Sequence, residues 1–168
     1  MTTEHEDRTD RFRARKKAQE RNLFGRMAAA ALASRTQARH LLKSVGTLSI
    51  TEWRILWDLA EAGPLTVTEM ASVQRSDHAL ISRTIPAMVE KGYVTAATGT
   101  RDRRTSLVTL TPAGQSVFDE TKPIMAQRRK ALATAFSEVD LDTFLRLLDR
   151  FEQFVEDPAS PTPDTKGT

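Results

Sequence analysis

Leu65 to Gly114 reads LTVTEMASVQRSDHALISRTIPAMVEKGYVTAATGTRDRRTSLVTLTPAG, and this stretch decides the fold. At its centre Arg101-Asp102-Arg103-Arg104 crowds three guanidinium groups into four residues, just after Gly99. Strand-forming residues flank the cluster, Tyr93-Val94-Thr95 before it and Leu107-Val108-Thr109-Leu110 after it. That predicts a β-hairpin with a basic tip. Upstream, Thr66-Val67-Thr68-Glu69 is a capping box, threonine at N-cap and glutamate at N3, which opens a short helix carrying Met70, Ala71 and Val73. A tight turn near Gln74-Arg75-Ser76 leads into a second helix that ends near Gly92, with Ile81, Ile85 and Met88 as its inward stripe. Two short helices, a tight turn and a hairpin make a winged helix-turn-helix.

Outward from this stretch the pattern is helical on both sides. From Arg8 to about Val45 there is no proline, and Leu23, Met27, Ala30, Ala31, Ser34, Ala38, Leu41 and Leu42 recur at steps of three and four. Residues 1–7 are expected to be disordered. A capping box at Ser49-Ile50-Thr51-Glu52 opens a helix through Trp53, Leu56 and Trp57, stopped by Gly63-Pro64. Beyond the hairpin, Thr111-Pro112 starts a long helix towards Ala135, with a bend expected at Pro123. Ser137 caps a last helix whose Leu141, Phe144, Leu148, Phe151 and Val155 form a packing seam. Residues 158–168, with three prolines and no large apolar side chain, read as a disordered tail. The expected class is mainly α with a small β-hairpin wing.

Composition sets the outer limits. The chain has 168 residues with 39% hydrophobic content, enough for a compact core. No apolar run reaches the roughly 18 residues of a membrane span, and the charged start carries no secretory h-region, so a cytoplasmic protein without membrane contact is expected. Cysteine is absent, which excludes disulfides, thiolate catalysis and thiol redox sensing. Net charge is only +3, but it is polarised. Residues 8–21 carry seven basic against two acidic side chains, and residues 138–168 three against eight.

The helix-plus-hairpin unit can hold a DNA duplex by adjacent grooves. The second short helix would enter the major groove, presenting His78, Ala79, Ser82 and Arg83 opposite its inward stripe, with Arg75 and Ser76 at the preceding turn. The basic tip would reach the neighbouring minor groove, whose negative potential favours arginine.

In detail the chain resembles the MarR family of bacterial transcription regulators. The matching residues are Trp53-Arg54-Ile55-Leu56, Leu65-Thr66, Glu90-Lys91-Gly92-Tyr93-Val94, Asp102-Arg103-Arg104 and Leu110-Thr111-Pro112-Ala113-Gly114, in order, within a similarity spanning roughly Leu23 to Val155. The resemblance implies that Arg104 enters the minor groove, that Asp102 holds it by a charge-assisted hydrogen bond, and that Arg101 and Arg103 contact phosphates. It implies a homodimer through the terminal helices, with Leu23, Met27, Leu141, Phe144, Leu148 and Phe151 as interface candidates, binding double-stranded DNA at a pseudo-palindrome. It implies a small-molecule effector of unknown identity, for which Arg39, His40, Trp53 and Trp57 are the candidates. Trp53 and Trp57 read first as core. The expected organisation is a basic, partly disordered arm (1–20), a dimerisation helix (21–46), the winged helix-turn-helix (47–111), two dimerisation helices (112–157) and the tail. Pro86, inside the recognition helix, departs from the family pattern and is expected to bend it.

Other chemistries are poorly served. His5, His40 and His78 lack metal-ligand spacing, so no metal or cofactor is expected. Ser76-Asp77-His78 holds triad residue types, but consecutive residues cannot line up as nucleophile, base and orienter. With no glycine-rich phosphate loop or nucleophile elbow, no enzyme is expected. The expectation is a ligand-responsive repressor. The alternatives are a winged-helix protein-interaction module and a non-specific architectural DNA binder.

Overall fold

The computed structural model describes residues 2–46, 48–98 and 106–157. The expected disordered tail, residues 158–168, lies outside them. The elements are α1 (Thr2–Glu20), α2 (Leu23–Lys43), α3 (Ile50–Ala62), β1 (Leu65–Thr66), α4 (Val67–Gln74), α5 (His78–Glu90), β2 (Val94–Thr98), β3 (Ser106–Leu110), α6 (Pro112–Ala135) and α7 (Glu138–Glu156). Among the described residues no helix is long and apolar enough to cross a membrane. The chain forms two compact units, residues 1–125 and 126–168.

Side-chain caps set most helix starts. Ser49 and Glu52, Thr66 and Glu69, and Ser137 and Asp140 each form a reciprocal capping box. At α6 the Thr111 hydroxyl accepts from Gly114 N at 3.0 Å and donates to the Gly92 carbonyl at 2.6 Å, fastening the helix start to the end of α5. Gly114 is required by close approach, because a Cβ there would run into the Tyr93 carbonyl.

The N-terminal expectations need correction. Residues 1–7 are expected to be disordered and the first long helix to begin anywhere from Arg8 to Arg21, yet α1 is already helical from Thr2, stops at Glu20, and is followed by α2 from Leu23. Pairs such as Arg11–Asp7 at 3.1 Å support α1 along its own surface. The break has a local cause: Asn22 takes an extended conformation and its side chain accepts from Gly25 N at 3.2 Å, so it caps a new helix.

The first unit holds the core. Leu42 of α2, Ile55 and Leu56 of α3, Met70 of α4, Ile81 and Met88 of α5, Val94 and Val108 of the sheet, and Phe118 of α6 are all buried. The sheet is antiparallel in the order β1-β3-β2, with Leu65 opposite Val108 and Val94 opposite Leu110. β1 was not foreseen; two residues are too short to show a period. In the second unit, α7 has no buried residue.

Candidate nucleic-acid interface

The turn between α4 and α5 is built from its termini. Arg75 closes α4 in the left-handed region, φ 45° and ψ 52°, and Ser76 N donates to the Ala71 carbonyl at 3.0 Å. Glycine is the usual occupant of such a position, and an L side chain there costs about 1–2 kcal/mol. Asp77 then takes an extended conformation and accepts from Ala79 N at 2.8 Å, so it caps α5. Asp77 is a cap that the expected turn near Gln74-Arg75-Ser76 did not include. Its signal was present, an aspartate just before the helical stripe.

Two cross-ties hold the helix pair. Arg54 of α3 donates to the Gln74 carbonyl at 2.6 Å, and the Gln74 amide donates to Asp58 at 2.6 Å. Burial raises the Asp58 carboxyl above its ordinary range, and the Gln74 hydrogen bond and Arg54 charge offset this only in part. At the other end, Lys91 Nζ donates to Glu52 Oε1 at 2.6 Å while Glu52 Oε2 accepts from Ser49 N at 2.7 Å. Burial alone would raise the Glu52 carboxyl, but the Lys91 and Ser49 hydrogen bonds and the Lys91 charge outweigh it and hold it below the ordinary value. One carboxylate thus serves both the start of α3 and the end of α5. The end of α5 is a Schellman motif: Gly92 has φ 73°, Tyr93 N donates to the Met88 carbonyl and Gly92 N to the Val89 carbonyl, both at 2.9 Å.

These ties fix which face α5 presents. Ile81, Ile85 and Met88 are buried, and His78, Ala79, Ser82 and Arg83 are exposed. Arg75 is exposed at the turn beside half-buried Ser76. Pro86 lies inside α5 on the exposed side, four residues after Ser82. The carbonyl it leaves without a helical partner is therefore on the side open to water, where the loss costs least. The ladder of β2 and β3 is described up to the Thr98–Ser106 pair. The wing candidates Arg101, Asp102, Arg103 and Arg104 lie in the hairpin tip beyond it, outside the described residues.

The remaining candidates scatter. Trp53 is buried, 5.0 Å from Trp57 between ring centroids, as core packing requires. Trp57 is half-buried and lines a groove of about 300 Å³ with Arg54, Asp58, Val73 and Gln74. Arg39 and His40 are exposed on α2 and do not line that groove. Among the interface candidates, Leu23 and Phe144 are exposed, and Met27, Leu141, Leu148 and Phe151 are half-buried. Among the described residues no group of histidines and carboxylates is arranged to hold a metal.

Known proteins share this arrangement. Residues 48–106 match the MarR family. YpoP of Bacillus subtilis (strain 168), an uncharacterised HTH-type transcriptional regulator, is 30% identical over 109 residues, covering 63% of this chain and 75% of its own. A MarR/EmrR family transcriptional regulator from Acinetobacter sp. ADP1 superposes with a TM-score of 0.70 at 25% identity, over 81% of this chain and 96% of that one. A mutant of MarR from E. coli, solved in complex with operator DNA, shares the fold at 19% identity with a TM-score of 0.66, over 78% and 94% of the two chains. The capped helix pair, the exposed face of α5 and the antiparallel wing therefore have a common explanation: the chain belongs to the MarR family and is a winged helix-turn-helix transcription regulator with a DNA-binding fold.

Proposed function

We propose that the chain is a homodimeric, ligand-responsive repressor that binds a pseudo-palindromic operator. The observation that carries the DNA contact is the exposed row of His78, Ala79, Ser82 and Arg83 on a helix held from behind by Ile81, Ile85 and Met88. In this reading the row meets base edges in the major groove. Arg75 and Ser76 flank it at the phosphates, and the left-handed backbone at Arg75 favours a role for its side chain, since glycine would cost less. Arg104 enters the minor groove braced by Asp102, with Arg101 and Arg103 on the backbone.

The dimer is supported by apolar faces left open at both ends of the chain. Leu23, Phe24 and Leu32 are exposed on α2, and Phe144, Leu145 and Leu147 on α7. A two-fold dimer would set the recognition helices about one DNA turn, ~34 Å, apart. The small-molecule site is proposed near Trp57, which lines the groove of about 300 Å³ with Arg54, Asp58, Val73 and Gln74.

A gel shift with the DNA upstream of the protein's own gene, against random DNA of equal length, tests the reading. Preference for the upstream DNA is expected, with affinity falling by ~10³–10⁵ between 50 and 200 mM salt if 6–10 phosphates are contacted. Arg83→Ala or Arg104→Ala should each weaken binding by about 1–3 kcal/mol. Equal affinity for both DNAs would point to an architectural binder, and no binding to a protein-interaction module.

A further inference from the structure

The winged helix and the dimer surface leave α1 without a task. None of its described side chains is buried, so it has no apolar stripe facing a core. A helix of 19 residues whose described side chains are none of them buried is marginal on its own. The positions that would normally carry such a stripe, i, i+3, i+4, i+7 and i+8, are Arg8, Arg11, Phe12, Arg15 and Lys16. One face of α1 is thus four cations around a single aromatic, and Phe12 is 68% exposed.

A matching face exists on α7. Glu138, Asp142, Asp149 and Glu156 step by four, seven and seven, which keeps them on one side of the helix. Leu145 sits among them and is 55% exposed. It flanks, rather than joins, the apolar seam of Leu141, Phe144, Leu148 and Phe151. The two faces are complementary in charge, and each carries one apolar side chain in its row. A DNA backbone offers phosphates for the cations but nothing apolar for Phe12. On the basic row Arg11 pairs with Asp7 at 3.1 Å, but both side chains are exposed, so the pair exchanges at little cost.

We propose that α1 is an electrostatic strap that lies along the acidic face of α7 of a second copy, Arg8, Arg11, Arg15 and Lys16 against its carboxylates and Phe12 against its Leu145. The strap rests on the homodimer reading and adds to it a contact outside the region that matches the family. It would make dimerisation sensitive to salt, which an apolar seam alone does not.

Charge exchange between two variants tests it. One carries Arg8→Glu, Arg11→Glu, Arg15→Glu and Lys16→Glu; the other carries Asp142→Lys, Asp149→Lys and Glu156→Lys. Each alone should dimerise about tenfold more weakly than the parent at low salt, as a few exposed pairs are removed and like charges meet. Mixed, they should form heterodimers well beyond random pairing by native mass spectrometry, because only the mixed dimer matches both straps. Random pairing would overturn the proposal, since a strap closing within one chain gains nothing from mixing. A neutral set, Arg8→Gln, Arg11→Gln, Arg15→Gln and Lys16→Gln, keeps helix propensity and should make the dimer dissociation constant nearly independent of salt. An unchanged salt dependence of dimerisation, with a shallower salt slope of DNA binding, would assign the basic face to DNA and overturn the strap. A parent that stays monomeric would remove the dimer reading itself, and the strap with it.

Discussion

Phe118 of α6 is 2% exposed and Phe144 of α7 is 58% exposed, though both sit in amphipathic helices of the same half of the chain. The first belongs to the unit of residues 1–125, where helix and sheet faces close over one another. The second belongs to residues 126–168, where α7 keeps phenylalanine, leucine and valine at the surface. Burying a side chain of this size stabilises by about 1.5–3 kcal/mol, so the first unit has collected that energy within the chain and the second has not. The regulator's division of labour follows from this. In the proposed homodimer, the part that meets DNA holds its shape alone and the part that pairs two copies keeps apolar surface in reserve.

The largest expected effect lies on the first side of the comparison. Phe118→Ala should destabilise the fold by about 3–5 kcal/mol, through lost transfer energy and the cavity left behind, measured by urea unfolding. A loss under about 1 kcal/mol would mean the first unit is no better packed than the second. On the other side, Phe144→Ala should leave unfolding of the monomer almost unchanged. It should weaken self-association by about 2 kcal/mol, roughly thirtyfold in dissociation constant, read by sedimentation equilibrium. The reverse pattern would place Phe144 in a core and erase the contrast.

What the sequence revealed divides along physical lines. Helix starts were readable at Ser49, Thr66, Thr111 and Ser137, because a cap is a contact between residues three apart. The exposed row on α5 was readable because Ile81, Ile85 and Met88 declare the opposite face by their spacing. The start of α2 could be bounded only between Arg8 and Arg21, because the alanine-rich stripe fades into a basic run; Asn22 caps the helix just past that range. Partners far apart in sequence left no local trace. Gln74 meets Asp58 across 16 residues, and β1 pairs with β3 across more than 40. For the hairpin tip the sequence supplies the arginines, and the described ladder up to Thr98 and Ser106 supplies their base.

The smallest expected effect asks how firmly the first unit holds its recognition helix. Glu52 has a 7% exposed side chain, whereas that of its partner Lys91 is 36% exposed. Glu52→Gln keeps the shape but removes the charge, and Lys91 can turn to water, so the cost should be about 1 kcal/mol rather than that of a fully buried pair. The pH dependence gives a second reading. The Glu52 carboxyl is held below its ordinary 4.5 in the folded chain, so as pH falls past that value the unfolded chain takes up the proton first. Its contribution is therefore complete at neutral pH and is lost as pH drops through the folded value. Glu52→Gln should flatten the fall in stability below about pH 4.5 by that one proton, and should loosen DNA binding less than Arg83→Ala does. If the acid limb of the stability curve is unchanged, the Lys91 bond does not hold α5, and the Schellman turn at Gly92 alone sets the end of the recognition helix.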